Sequence, residues 1–108
     1  MKPKKHVVYY PGTKKKFRET YTLNDKRHRE DGPASIHYYK NGNIKMEYYY
    51  INDESHREDG PSDICYYENG NIESEHYYIN GKELTKEQFI RKRDSKIFDK
   101  LLEELAND

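Results

Sequence analysis

Two copies of a six-residue segment carry the side chains best suited to chemistry. His28–Pro33 and His56–Pro61 share the sequence His-Arg-Glu-Asp-Gly-Pro, and histidine and aspartate are common metal ligands and acid–base groups. A catalytic site seldom recurs in every unit of a repeat, whereas Asp-Gly-Pro is typical of a tight turn, because aspartate accepts backbone hydrogen bonds and proline fixes the exit. The segment therefore predicts a turn in which Arg29 and Arg57 pair with nearby carboxylates, with no metal and no cofactor.

A cluster of cations near the N-terminus is the second candidate site. Aromatic side chains surround it, and this mixture is typical of nucleic-acid surfaces, where cations bind phosphates and rings stack on bases. Two other interpretations stay open: a solvated hairpin tip, or a basic strand that docks on an acidic protein, including a second copy of the chain. An anionic membrane is the least favoured partner. The cluster consists of Lys14, Lys15, Lys16 and Arg18, beside Tyr9, Tyr10, Phe17 and Tyr21.

Other motifs give no support for catalysis. Cys65 lacks a cysteine–histidine nucleophile pattern and replaces His37 of the preceding unit, so we expect a structural thiol on a strand. The sequence contains no Gly-rich phosphate loop, Gly-x-Ser-x-Gly elbow or Cys-x-x-Cys pair. The protein is therefore predicted not to be an enzyme.

An internal repeat of 28 residues positions these side chains. The Tyr-Tyr, Asn-Gly-Asn-Ile and Tyr-Tyr-Ile-Asn segments of one unit all recur 28 residues later. A degenerate earlier copy places Val8 and Tyr10 one period before Ile36 and Tyr38. The predicted repeat domain covers residues 1–84, with a degenerate copy over 7–27 and fuller copies over 28–55 and 56–83.

Each unit is predicted to form a β-hairpin. Small or polar residues alternate with Ile36 and Tyr38, and the stretch from Ile44 to Ile51 is rich in β-branched and aromatic residues. Asn41–Gly42 between them is typical of a tight primed turn with positive φ. We therefore expect a single-layer antiparallel β-meander of about six strands, stabilised by cross-strand aromatic and aliphatic pairs.

Tyrosine accounts for 12 of the 108 residues, and two roles are expected for it. Tyr21, Tyr49 and Tyr77 are predicted to pack within the thin sheet. Tyrosines left on an open face give rigid, amphipathic contact area, which is typical of protein-binding surfaces. The predicted protein-binding face consists of Tyr38, Tyr48, Tyr50, Tyr66 and Tyr78.

After residue 84 the apolar period becomes helical. Thr85 followed by Gln88 forms a capping box, with Thr85 as the N-cap. An amphipathic helix is predicted over residues 85–106, with Asp94–Ser95 as an alternative second cap. Its apolar stripe requires burial, either as a cap on the sheet or against a partner chain. The stripe contains Phe89, Ile90, Ile97, Phe98, Leu101, Leu102 and Leu105.

Composition and charge narrow the class of protein. No segment approaches the roughly 18 consecutive apolar residues of a membrane span. No apolar signal-peptide core follows the basic N-terminus, and one cysteine forms no internal disulfide, so a cytoplasmic location is expected. The net charge of zero conceals a net of +8 over residues 1–29 and of −8 over residues 30–79. This asymmetry favours charged partners and allows self-association.

The combined motifs resemble the MORN repeat and its variants, in particular the tandem HREDGPA, YYxNG and YYINGK proteins of large DNA viruses, phages and some bacteria. Residues 33–61 carry the fullest copy, and the resemblance covers residues 7–84. It implies a mainly β fold, a single-layer antiparallel β-meander of tandem MORN-like hairpin repeats with a C-terminal capping α-helix. The glycine and tryptophan common in MORN strands are absent, with Glu47–Tyr49 and Glu75–Tyr77 in their place.

The resemblance also implies a binding function. MORN proteins are associated with protein scaffolding and with acidic phospholipids, and some variant-repeat proteins are labelled antitoxins. The leading prediction is a non-catalytic protein–protein interaction module. The frequent occurrence of the resembled family in viruses and phages extends this prediction to a binder or inhibitor of a host defence protein, acting in the host cytoplasm. Nucleic-acid binding through the basic first hairpin and an antitoxin-like or lipid-binding role are the alternatives.

Overall fold

A computed structural model describes residues 1–107, and it confirms a mainly β, antiparallel chain with a C-terminal helix. The described residues form ten strands rather than the about six predicted, because short hairpins follow the long strands. The elements are β1 (Lys4–Tyr9), β2 (Lys16–Leu23), β3 (Lys26–Arg27), β4 (Ser35–Tyr38), β5 (Ile44–Tyr48), β6 (Tyr50–Ile51), β7 (Glu54–Ser55), β8 (Asp63–Tyr66), β9 (Ile72–Ile79), β10 (Lys82–Leu84) and α1 (Lys86–Ala106).

The strands form one large antiparallel sheet and one small hairpin. The large sheet follows the order β1-β2-β4-β5-β8-β9-β10, with β3 paired to the end of β2, while β6 and β7 pair with each other. Neighbours in the large sheet are therefore close in sequence, and the small hairpins branch from one end of the long strands. The starts of β3, β7 and β10 are spaced by 28 residues, the period found in the sequence.

Two kinds of turn connect the strands, and the primed turn does not lie where it was predicted. At Asn41–Gly42 only the glycine has a positive φ, 92°, so the loop is not a primed turn and glycine closes it in the left-handed region. Positive φ at both central residues occurs instead at Asn52–Asp53, with values of 48° and 66°. The same pattern recurs at Asn24–Asp25 and Asn80–Gly81.

A β-bulge interrupts each of the large hairpins. The pairing of β4 with β5 skips Lys45, and the corresponding pairings skip Phe17 and Glu73. An extra residue on one strand changes which face the adjoining side chains occupy. Phe17 accordingly contacts the His37 ring, with centroids 6.3 Å apart, although simple alternation would place it with Glu19.

The tip of the first hairpin is one residue longer than the predicted alignment allows. Val7 lies opposite Glu19, as Ile36 lies opposite Glu47. Val7 is therefore the structural equivalent of Ile36, and the alignment of Val8 with Ile36 is wrong by one residue.

Tyrosine hydroxyls join the tip of one hairpin to the next. The Tyr10 hydroxyl donates to the Tyr38 carbonyl and the Tyr39 hydroxyl donates to the Tyr66 carbonyl, both at 2.7 Å. Tyr10 and Tyr39 close their loops with the same backbone hydrogen bonds, which replaces the predicted pairing of Tyr10 with Tyr38. Tyr67 holds this position in the last hairpin, where its side chain is 51% exposed.

The core is thin and the molecule is elongated. Its extents are 61 × 33 × 25 Å and its radius of gyration is 16.9 Å, against about 13 Å for a compact domain of this length. A sheet this thin depends on cross-strand pairs for much of its stabilisation. One side of the sheet, here called the aromatic face, carries the contacting rings of Phe17, His37, Tyr48 and Tyr50. The buried apolar residues include Ala34, Ile36, Ile64, Tyr77 and Phe89.

The C-terminal helix begins with the predicted capping box. The Thr85 hydroxyl accepts a hydrogen bond from the Gln88 amide at 3.1 Å, and the Gln88 side chain accepts one from the Thr85 amide at 2.9 Å. The helix continues to Ala106 without a second cap. Phe89 is its buried residue and packs on Tyr77, with ring centroids 4.8 Å apart. The helix therefore contacts the sheet through its start, as a cap would, while the rest of its apolar stripe is left exposed.

Candidate functional site

Each repeated turn holds an arginine between a tyrosine ring and a glycine. The guanidinium carbon of Arg29 lies 4.0 Å from the Tyr21 ring centroid, and that of Arg57 lies 4.1 Å from the Tyr49 centroid. A Cβ atom at Gly60 would lie 3.0 Å from the Arg57 guanidinium carbon, so glycine leaves the space that the arginine fills. The two arginine clamps are Tyr21, Arg29 and Gly32, and Tyr49, Arg57 and Gly60.

The clamps confirm the predicted local pairing of arginine with carboxylate. Arg57 donates to Asp59 at 2.9 Å and to the Pro61 carbonyl at 3.0 Å. Arg29 makes the same two bonds with Asp31 and Pro33, at 3.0 and 3.2 Å. Stacking and hydrogen bonds thus fix each guanidinium within its own loop, so the clamps stabilise the turns.

The repeated histidines hold backbone groups of the following unit. His28 Nδ1 accepts the amide of Asn52 at 3.1 Å, and His56 Nδ1 accepts the amide of Asn80 at 2.9 Å. Each bond joins a clamp loop to the next primed turn. Within residues 1–107, no group of three or more histidine, cysteine or acidic side chains is arranged to hold a metal ion.

A concavity of about 650 Å³ lies between the two clamps. Its charged lining includes Arg29 with Asp31 and Arg57 with Asp59, and each of these pairs is already bonded. The concavity is therefore polar, and Glu30 and Glu58, which also line it, add two carboxylates beyond these arginine–aspartate pairs. Cys65 lies elsewhere, half-buried on β8 as expected for a thiol on a strand.

The five tyrosines predicted to form one binding face lie on both faces of the sheet. Tyr66 donates to the Glu47 carboxylate, and Tyr38 lies on the same side, beside Glu19. All five are half-buried, and strand alternation in the observed register separates them into two groups. The group on the opposite side of the sheet is Tyr48, Tyr50 and Tyr78.

Carboxylates and aliphatic side chains alternate across the strands on the side opposite the aromatic face. Glu19 is only 4% exposed, whereas Glu47 is half-buried and Glu75 is exposed. Exposure therefore increases toward the last hairpin. This acid row consists of Val7, Glu19, Ile36, Glu47, Ile64 and Glu75.

Lys16 keeps the carboxylate of Glu19, the buried acid of the acid row, in its charged form. Burial favours protonated Glu19, but the hydrogen bond and charge of Lys16, at 2.5 Å, outweigh it and lower the pKa of Glu19. Lys5 adds a weaker contribution to that pKa from 4.0 Å. The same hydrogen bond raises the pKa of Lys16. A buried carboxylate without a partner would destabilise the fold, and Lys16 provides that partner for Glu19.

Two tyrosine hydroxyls donate to carboxylates, one in the acid row and one on the opposite side of the sheet. Burial, followed by the hydrogen bond to Glu47, raises the pKa of Tyr66. A hydrogen bond to Glu83 raises the pKa of Tyr78 to about 12. Both hydroxyls are therefore protonated at neutral pH and stabilise the neighbouring carboxylates.

Asp63 is a half-buried polar residue that was not predicted from the sequence. Burial raises the pKa of its carboxyl group, and its Oδ1 is buried without a hydrogen-bond partner in the described structure. It lies opposite His76 in the sheet. The corresponding residue one unit earlier is Ser35, so the repeat pattern carries no signal for a buried carboxylate here.

The four cations of the predicted basic patch point in different directions. Lys14 and Lys15 lie at the exposed tip of the first hairpin. Lys16 bonds to Glu19 in the acid row, while Arg18 lies opposite His37 and lines a groove on the aromatic face. The tip retains two free lysines, so the patch is smaller than predicted.

The apolar stripe of α1 is uncovered beyond its first turn. Its side chains follow three- and four-residue spacing and therefore lie along one side of the helix. Contiguous exposed apolar surface of this kind marks interaction sites. The sequence identified this stripe and left open what covers it. The exposed members, each 50–71% accessible, are Ile97, Phe98, Leu101, Leu102 and Leu105.

No family model, curated protein or solved structure matches this chain. Within residues 1–107, no helix combines the length and apolarity that crossing a bilayer requires. Three surfaces remain available for binding: the uncovered stripe of α1, the two lysines at the first hairpin tip and the open edges of the sheet.

Proposed function

We propose that the protein is a non-catalytic protein-interaction module that presents α1 to a partner protein. The observation that carries the proposal is the exposed apolar stripe on a helix fixed to the sheet by Phe89. Laying such a stripe into an apolar groove is a common mode of protein recognition. A helix whose start is already packed loses less conformational freedom on binding than a free peptide.

The charges along α1 specify the partner further. Residues 91–96 of the helix carry four cations and one carboxylate, and residues 99–104 carry three carboxylates and one lysine. A complementary groove therefore has an apolar floor, with acidic side chains at one end and basic side chains at the other. The cations are Arg91, Lys92, Arg93 and Lys96, and the carboxylates are Asp99, Glu103 and Glu104.

In the proposed module, a sheet of MORN-like hairpin repeats is the rigid support that presents α1. Supporting observations are the two arginine clamps and the turns, bulges and hydroxyl bonds that recur along the chain. The half-buried tyrosines, including Tyr48, Tyr50 and Tyr78, provide secondary contact area. The resemblance to viral and phage repeat proteins makes a host protein the proposed partner.

Nucleic-acid binding is the second candidate, and one observation favours it. Lys14 and Lys15 extend from the tip of the first hairpin, and Lys40 lines the adjoining groove with Lys15. Lys16 is neutralised by Glu19. Because few cations converge on one surface, the apolar helix ranks first.

Loss of partner capture tests the proposed function. The full chain, immobilised, is compared with a variant carrying Leu101→Asp and Leu105→Asp, whose side chains are 53% and 71% exposed in the wild type. Because interface hot spots each contribute about 2 kcal/mol, we expect a loss of about tenfold or more in retained partner. Quantitative mass spectrometry of the captured proteins measures it.

A matched surface variant keeps this experiment specific. Lys14→Glu with Lys15→Glu changes two exposed residues far along the chain from α1, and partner capture should be unchanged. Far-UV circular dichroism verifies that both variants fold. Equal capture by the wild type and the helix variant would refute the proposal. Loss confined to the lysine variant, together with salt-dependent oligonucleotide binding, would favour the second candidate.

A further inference from the structure

The large sheet ends in two open strand edges. On one side β1 is the last strand. On the other side β10 pairs only with Tyr77–Ile79 of β9, which leaves Ile72–His76 without a neighbour on its outer side in the described chain. Open edges present unpaired amide and carbonyl groups that readily accept another strand.

Inside the sheet, the corresponding edges are filled. β4 lies against β2, with Ile36 opposite Glu19, and β8 lies against β5, with Ile64 opposite Glu47. The equivalent place beyond Glu75 is vacant, because the chain enters α1 after Thr85 instead of forming another hairpin. A groove of about 440 Å³ runs there, between the edge of β9 and the junction of β10 with α1.

β1 has the pattern of the strand that would fill this place. Val7 lies opposite Glu19 in its own hairpin, as Ile36 lies opposite Glu47 and Ile64 opposite Glu75. Ile36 and Ile64 are only 8% and 7% exposed because strands flank them on both sides. β1 has a strand on one side alone, so its outer edge is free to pair.

The two open edges carry opposite charge. β1 and the residues before it contain three lysines and no carboxylate. The strand β9 and the adjoining turn and hairpin contain four glutamates. Such complementarity attracts one edge to the other over about 30 Å in dilute salt and is screened as salt is added. The lysines are Lys2, Lys4 and Lys5, and the glutamates are Glu68, Glu73, Glu75 and Glu83.

We propose that β1 of a second copy of this chain adds antiparallel to the open edge of β9. The pairing places Val7 of the incoming copy opposite Glu75, and Val8 opposite Ser74, which continues the acid row across the contact. The contact joins unlike edges and leaves one of each kind free, so it generates linear head-to-tail assemblies instead of a closed dimer. It is independent of the proposed function, because α1 contributes its apolar stripe to neither edge.

Mass measurement over a range of protein concentrations tests this contact. In about 0.01 M salt, light scattering after size exclusion should show the average mass rising with concentration to at least about twice the monomer mass of 13.1 kDa. In about 1 M salt, where the screening length is about 3 Å, it should return to the monomer mass. A wild-type protein that is monomeric at all concentrations in low salt would overturn the proposal.

Paired charge reversals identify the surfaces. Glu73→Lys with Glu75→Lys makes both edges basic, and Lys2→Glu with Lys4→Glu makes both edges acidic, so each variant alone should stay monomeric. An equimolar mixture should assemble again, because each edge then meets its opposite. All changed residues are exposed, and circular dichroism confirms folding. Association that persists in either variant, or that mixing fails to restore, would contradict the contact.

A helix variant excludes association through α1. Leu101→Asp with Leu105→Asp leaves both sheet edges intact, so its mass should show the same dependence on concentration and salt as that of the wild type. Loss of association in this variant, with no effect of the charge reversals, would assign self-association to the helix and overturn the proposal.

Discussion

The first two units and the last unit close the same tyrosine position in different ways. Arginine stacks on Tyr21 and Tyr49, at 4.0 and 4.1 Å, whereas Phe89 from α1 covers Tyr77, with ring centroids 4.8 Å apart. The arginine comes from a loop that leads into another strand, while Phe89 comes from a helix that leaves the sheet. The covering group thus follows from what the chain does next, a hairpin or a terminal helix.

The acid row shows the same contrast between interior and end. Glu19 has strands on both sides and is 4% exposed, with Lys16 as its ion-pair partner. Glu75 has a strand on one side and is exposed, with a 3.2 Å hydrogen bond from Tyr77. Equivalent glutamates therefore contribute differently to stability, because the neighbouring strand, and not the residue type, determines how deeply each is buried.

The largest effect on stability is expected for Phe89, the helix residue that covers Tyr77. Phe89→Ala removes a ring that is 3% exposed and should lower the free energy of unfolding by about 3 kcal/mol. Because most helical stability in proteins comes from tertiary packing, the helical signal should fall as well. Urea unfolding followed by far-UV circular dichroism measures both quantities.

Phe98→Ala is the matched control for that measurement. Phe98 lies on the same helix but is 61% exposed, so its truncation should change stability by a few tenths of a kcal/mol at most. Equal effects of the two substitutions would mean that Phe89 does not anchor the helix to the sheet.

A smaller effect is expected at the arginine clamps. Arg57→Ala removes ring stacking and the bonds to Asp59 and the Pro61 carbonyl, so we expect a loss of about 2 kcal/mol in unfolding free energy. Arg29→Ala should cost about the same, because its clamp has the same geometry. Arg57→Lys keeps the charge but loses the planar stacking, and should retain only part of the stability.

Thermal and urea unfolding of these variants check whether the clamps are equivalent. Arg91→Ala serves as the control, since Arg91 forms an exposed pair with Glu87 on the helix surface and such pairs contribute little. If Arg57→Ala were as mild as this control, the clamp would not stabilise its turn.

Much of the fold was predictable because it depends on local chemistry. The repeat located the clamp loops, and Asp-Gly-Pro beside arginine predicted the bonds from Arg57 to Asp59. Thr85 and Gln88 predicted the start of the helix because capping needs only two side chains and the adjoining backbone. The apolar stripe of α1 was likewise readable from its spacing.

The cross-strand partner and the sheet face of each side chain depend on strand register, which the spacing of residues in the sequence does not determine. One extra residue in the first tip puts Val7 where the alignment had placed Val8. Bulges at Phe17, Lys45 and Glu73 alter which side chains share a face. The pairing of Ile36 with Glu47 puts Tyr38 and Tyr48 on opposite faces, so the five predicted tyrosines separate into two groups. Coverage of the helix stripe depends on tertiary geometry, about which the amphipathic pattern says nothing.

The smallest predicted effect is a difference in stability between substitutions at the two ends of the acid row, Glu19 and Glu75. Glu19→Gln removes a buried charge from its lysine partner and should lower stability at pH 7 by about 1 kcal/mol, whereas Glu75→Gln should leave it unchanged. The pKa of Glu19 lies below its ordinary value of 4.5, so the folded state binds fewer protons than the unfolded state near that pH. The contribution of Glu19 is therefore fully present above pH 4.5 and is lost as pH falls through the folded-state pKa.

Urea midpoints of the wild type and both variants, measured from neutral to acidic pH, separate these cases. The difference between the wild type and Glu19→Gln should shrink as pH falls below 4.5, while the Glu75→Gln curve should follow the wild type throughout. A constant Glu19→Gln difference would indicate lost packing, because packing does not titrate. Equal effects at both positions would mean that flanking strands do not determine how much a carboxylate of the acid row contributes.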